Sequence, residues 1–144
     1  MTALGDFSSG DVLTAADLNA IGDWQSYTPS IEGSTTDPTA TTSGLYYELN
    51  EIVFARIRAF SFTAAGSGTY YLTTPTDIDG DLLTVAYGSV RDGTLTYPIV
   101  AGKSGSGARR LFMTLTYNNA NITHTSFSLS GSDFIWLNAT YKKA

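Results

Sequence analysis

In the stretch TDIDGDLL three carboxylates, Asp77, Asp79 and Asp81, recur at every second residue, and several calcium loops open with this spacing. The remaining ligands do not follow. An EF-hand requires Gly at position 82 and Glu at position 88, where the chain has Leu82 and Gly88. A solvated acidic turn is therefore expected, with a Ca²⁺ site of another type as the alternative. Gly102-Lys103-Ser104 resembles the end of a phosphate-binding P-loop, but that loop needs a glycine where Tyr97 stands. His124 is the single histidine and there is no cysteine, which excludes multi-His and thiolate metal sites as well as disulfides. Its setting, THTSFSL, reads as an ordinary alternating strand rather than a catalytic base. No constellation of nucleophile and base emerges, so a non-enzymatic protein without cofactor or metal is expected.

The second chemically loaded stretch is IVFARIRAFSFT, residues 52–63. One parity gives Val53, Ala55, Ile57 and Ala59, small apolar residues suited to a core. The other gives Ile52, Phe54, Arg56, Arg58, Phe60 and Phe62. That second row needs cover, from another part of the chain or from a neighbouring subunit, because a solvated face would not be built of phenylalanines. Arg stacks on rings and forks onto carboxylates, and aromatic residues with Arg are enriched at interface centres. Phe54, Arg56, Arg58, Phe60 and Phe62 are accordingly the candidate oligomer interface. Trp24, Trp136 and the pairs Tyr46-Tyr47 and Tyr70-Tyr71 admit two readings, a flat platform for sugar rings or core packing.

These residues must be positioned by short strands. Fourteen Gly, abundant Thr, nine Tyr and seven Phe suit pleated strands and tight turns. Candidate strands are 24–32, 45–49, 52–63, 69–74, 82–91, 94–100, 110–117, 122–129 and 134–141. Asp92-Gly93 fits a type I′ hairpin, and residues 34–43 read as an exposed low-complexity loop. The expected class is all-β, an antiparallel β-sandwich of jelly-roll type. The formal charge of -5 divides unevenly. Residues 1–55 hold eight acids and no Lys or Arg, whereas 56–144 hold eight bases and five acids, so -8 and +3. That split disfavours nucleic-acid binding, and no segment approaches the roughly 20 apolar residues of a membrane span. The opening residues lack the pattern of a signal peptide, which points to synthesis in the cytoplasm.

Upstream of the strands, Thr14 is placed as an N-cap, Asp17 answers it at N3, Leu13 can staple onto Leu18, and Gly22 is a C′ stop. So short a helix does not hold itself together in water, and Leu13, Leu18 and Ile21 must dock on something. The run SGDVLTAADLNAIGDWQSYTPSI, residues 9–31, resembles the N-terminal segment of small tailed-bacteriophage virion proteins of the minor-tail, tail-fibre and head-fibre type. The pattern is carried by Gly10, Leu13, Thr14, Ala15, Leu18, Asn19, Trp24, Tyr27, Thr28 and Pro29. The likeness extends more loosely through Gly44-Leu45-Tyr46 to Leu72-Thr73-Thr74-Pro75. It implies a non-enzymatic homotrimer of β-sandwiches in the virion. Residues 1–23 would form the anchoring segment, through Leu13, Thr14, Leu18 and Ile21, and 24–144 the displayed domain. The implied partners are other copies and other virion proteins of capsid or tail. The alternative is a module binding a host-surface glycan or receptor at a tail tip.

Overall fold

The computed structural model describes residues 23–79, 85–104 and 109–144, and the predicted helix with its anchoring residues Leu13, Thr14, Leu18 and Ile21 lies outside them. The described residues form nine strands. These are β1 (Gln25–Tyr27), β2 (Ile31–Gly33), β3 (Thr39–Leu49), β4 (Ile52–Ala64), β5 (Tyr70–Thr73), β6 (Val85–Asp92), β7 (Leu95–Lys103), β8 (Arg110–Leu115) and β9 (Gly131–Lys142). All pair antiparallel in one sheet of order β1-β3-β4-β9-β6-β7-β8-β5-β2. The all-β antiparallel class expected from the sequence is what the chain forms.

The strand order forces curvature. Laid flat, nine strands about 4.8 Å apart would hold the edge strands β1 and β2 roughly 38 Å from each other. They are joined by Thr28, Pro29 and Ser30 alone, a link that reaches about 14 Å. The sheet therefore curls into a half-barrel. Hydrogen bonds sew the seam: the Thr42 hydroxyl donates to the Pro29 carbonyl (2.6 Å), the Ser30 N–H to Thr73 Oγ1 (2.7 Å), and the Thr73 N–H back to the Ser30 carbonyl (3.0 Å).

The inner face of the curl carries the core. On β4 it takes Val53, Ala55, Ile57 and Ala59, and on β9 Ile135, Leu137, Ala139 and Tyr141, all buried. Register lines these up across the sheet, Ala55 with Ala139 with Ala86 and Ile57 with Leu137 with Gly88. Two glycines in the second row serve close approaches. The Tyr27 ring lies where a side chain on Gly44 would be, and the Trp136 carbonyl lies where one on Gly88 would be.

Several boundaries differ from the sequence reading for identifiable reasons. Residues 24–32 divide into β1 and β2 at Pro29, and the two halves join opposite edges of the sheet. The threonine-rich loop is a turn only in its first half, where the Gly33 N–H donates to Asp37 Oδ1. From Thr39 its β-branched residues pair with β4. Residues 122–129 are not a strand. The Phe127 N–H donates to the Thr123 carbonyl, and the Ser126 N–H to both the Thr123 carbonyl and its hydroxyl, so local Ser/Thr bonding makes a turn there. The β6–β7 hairpin turns on Gly93 and Thr94, since Asp92 pairs with Leu95. Only Gly93 has positive φ (62°), which excludes the type I′ turn expected at Asp92-Gly93.

Three tyrosines anchor the interior by their hydroxyls. Tyr70 donates to the Ala65 carbonyl (2.6 Å), Tyr27 to the Thr73 carbonyl (3.3 Å), and Tyr141 shares a hydrogen with the Thr76 hydroxyl (3.0 Å). Burial raises all three pKa values, that of Tyr70 to about 12, with the Asp92 charge adding to the shift of Tyr70 and Tyr141 to that of Tyr27. Lys142 is also raised, by hydrogen bonds and charge from Glu51 and then Asp79. Above the unfolded tyrosine pKa, about 10, the native state holds more protons than the unfolded one, so this stability is whole below that pH and lost above it. The melting temperature is expected to stay level from neutral pH to about pH 9.5 and to fall from about pH 10 upward. A level profile through that range would show these hydroxyls to be free to ionise in the folded chain.

Candidate functional site

The outer face of the four longest-paired strands gathers the residues with chemistry to offer. On β4 the side chains of Phe54, Arg56, Arg58 and Phe60 point outward, opposite the buried parity. Register places Arg56 between Leu45 of β3 and Asn138 of β9, and Arg58 between Ser43 and Trp136. The row through Arg56 continues to Tyr87 on β6 and Val100 on β7. Leu45, Tyr87, Val100 and Trp136 are all substantially exposed, Tyr87 the most at 58 %.

Aromatic stacking orders one end of this face. The Tyr47 ring lies parallel on Phe54 (4.7 Å), Trp24 meets Tyr47 edge-on (4.8 Å), and the Arg56 guanidinium sits 4.7 Å from the centre of the Trp24 ring. Arg58 lies 5.3 Å from the Phe60 ring. Trp136 and Arg58 form a wall between two hollows. One, of about 450 Å³, is lined by Ser43, Leu45, Arg56 and Asn138 in addition to the wall, and the other, of about 330 Å³, by Ser89 and Phe134.

The two arginines differ from Arg91, Arg109, Arg110, Lys142 and Lys143. Arg110 pairs with Glu32, Lys142 with Glu51 (3.2 Å) and Asp79 (3.4 Å), and Lys143 with Glu48 (2.6 Å). Arg109 is spent on the Thr74 and Pro75 carbonyls, and Arg91 on that of Gly93. Among the described residues no carboxylate lies within ion-pair distance of Arg56 or Arg58, which meet only rings. A guanidinium resting on an aromatic face keeps its outer N–H edge open to a carboxylate. Chemically, then, the face offers two oriented cations, an amide and an exposed indole.

The chain matches no protein-family model, no curated protein and no solved structure with which it was compared. The site is therefore read from its own residues.

Of the five residues assigned from sequence to the oligomer interface, Phe54, Arg56, Arg58 and Phe60 lie on the outward row and Phe62 does not. Ser61 adopts φ 53° in a bulge that breaks the β4–β9 register between Phe60 and Phe62, so parity reverses and Phe62 is buried in the core. Of the aromatic candidates, Trp24, Tyr47 and Trp136 belong to the outer face, whereas Tyr70 is wholly buried. Leu45 and Asn138 were missed. The alternation in FIWLNATY marks Trp136 and Asn138 as outward, but only the β4–β9 register sets them beside Arg58 and Arg56.

The other chemical motifs fall elsewhere. Asp79 pairs with Lys142, while the Asp77 carbonyl receives the Ala144 N–H, so this turn fastens the end of β9. Asp81 lies outside the described residues, among which no group of three or more His, Cys, Asp or Glu could hold a metal. The His124 N–H donates to the Gly68 carbonyl, with its Nδ1 buried and unpartnered among the described residues.

Proposed function

We propose that this chain is a non-enzymatic structural protein of the tailed-phage virion type, a homotrimer whose copies pack through the outer face of β3, β4, β9 and β6. The observation that carries the self-association is that face itself. The inner side of the curl carries the buried core, whereas the outer side bears exposed Leu45, Tyr87, Val100 and Trp136 around two arginines that meet no carboxylate among the described residues. A face that exposes large apolar side chains around two arginines has the composition of an interaction surface. Arg and Trp at its centre are the residue types on which interfaces concentrate their energy. The virion assignment rests on the resemblance of residues 9–31 to phage minor-tail, tail-fibre and head-fibre proteins. In this reading residues 1–23 hold the protein in the particle by docking on a neighbouring virion subunit, and the curled sheet closes about its core as a jelly-roll-like sandwich displayed on the particle surface.

Light scattering on the full chain is expected to give close to three times 15.4 kDa. A concentrated sample that stays at the monomer mass would overturn the trimer. Gold label at Ala144 is expected to decorate intact particles in electron micrographs, and unlabelled particles would overturn the virion assignment.

A second reading is favoured by one observation. The Trp136 indole is 37 % exposed beside Asn138 and the larger hollow, an arrangement that suits a sugar ring on an aromatic face with an amide for its hydroxyls. A host-surface glycan is the ligand in that case, and binding on a glycan array abolished by Trp136→Ala would favour it over self-association.

A further inference from the structure

We infer that residues 1–22 of a neighbouring copy lie across the outer face, their aspartates meeting Arg56 and Arg58; this rests on the self-association proposed above. Three observations select this occupant.

The first is charge. Residues 1–22 contain Asp6, Asp11 and Asp17 and no Lys, Arg or His. Arg56 and Arg58 are held open-edged on rings, two residues apart on one strand, which sets their Cα atoms roughly 7 Å apart. An acidic segment is the natural complement of such a pair, because each guanidinium can donate a fork of two hydrogen bonds to a carboxylate. The second is apolar content: Leu13, Leu18 and Ile21 in the segment answer exposed Leu45 and Trp136 on the face.

The third observation is direction, and it assigns the segment to another copy. In β1, Gln25 pairs with Tyr46 and Tyr27 with Gly44, so the chain traced backwards from Tyr27 runs toward the β3–β4 turn. Trp24 is already beside Tyr47. Arg58, Ser43 and Trp136 lie the other way along the same strands. Residues upstream of Trp24 are thus launched away from their own groove and would have to reverse to enter it. A neighbour set ahead of them receives them without reversal. Such a contact is heterologous, one copy's segment on the next copy's face, and it closes into a ring when the rotation suits three copies.

The test uses the full chain and its mass by light scattering across a dilution series. Arg56→Glu with Arg58→Glu is expected to weaken association about 100-fold or more, as breaking a desolvated ion pair does. Asp11→Lys with Asp17→Lys is expected to do the same, although these residues precede the first strand. All four substitutions together restore opposite charges and are expected to return the trimer. Melting curves confirm that each variant is folded, and the Asp pair, outside the strands, keeps the test sound if the Arg pair misfolds. A trimer undisturbed by the Asp pair would overturn the inference while leaving self-association standing. Loss with the Asp pair that the four-fold variant does not repair would also overturn it. A wild-type chain that stays monomeric overturns both.

Discussion

Gly88→Ala is expected to lower the melting temperature by roughly 10 °C or more, with a stability loss of about 3 kcal/mol. A Cβ there would stand 1.7 Å from the Trp136 carbonyl oxygen and 2.7 Å from its carbon. These are backbone atoms of β9, the strand paired with both β4 and β6, so no side chain can rotate away to make room. The clash must be met by parting β6 from β9 along a register that runs from Val85 to Arg91. Gly102→Ala is the control. It lies on β7 with nothing within 4 Å of the added atom, and its melting temperature should stay within about 2 °C of the parent. Equal melting of the two variants would mean that β6 and β9 are not held as closely as described.

Trp136→Asp is expected to abolish association while leaving the fold intact. The indole points outward between Arg58 and Ser89, and the core residues Ile135 and Leu137 on either side of it point inward. Removing it takes away an exposed apolar contact that the isolated domain does not need. In the assembly the same change places a carboxylate where an aromatic ring is covered, and burying that charge among apolar partners costs several kcal/mol. Association is expected to fall by at least about 1,000-fold, with melting of the dilute protein shifted by no more than a few degrees. Retention of the parental mass at micromolar concentration would remove this face from the interface.

The class of the fold was legible in the sequence, and so was the two-faced character of β4, because side chains alternate with period two whatever the partners are. The break at Ser61 was not legible. A serine at φ 53° carries no sequence mark in an unbroken run of strand formers, and one inserted residue sent Phe62 inward. Pro29 did signal a fault in residues 24–32. What it could not signal was that the halves would pair with strands at opposite edges, Gln25 with Tyr46 and Ile31 with Leu72. The site was legible by halves for the same reason. Arg56 and Arg58 could be read from one strand, but Trp136 and Asn138 join them through a pairing between residues some eighty positions apart, which no local pattern encodes.

The position of β9 has a consequence for synthesis. It follows every other strand in the chain but lies between β4 and β6 near the middle of the sheet. As the polypeptide leaves the ribosome, the β3–β4 hairpin and the β6–β7–β8 meander can form in turn, while β4 and β6 each keep a row of unmet N–H and C=O groups. Only when residues up to Lys142 are clear of the exit tunnel can the last strand fill the gap. Until then the nascent chain carries two long, unpaired edges, each a template for a neighbouring chain on the same message. Truncation within β9 should thus send the product to aggregates rather than to a smaller folded domain. Yield in the cell should respond to chaperone supply and translation speed more than the stability of the finished protein would lead one to expect.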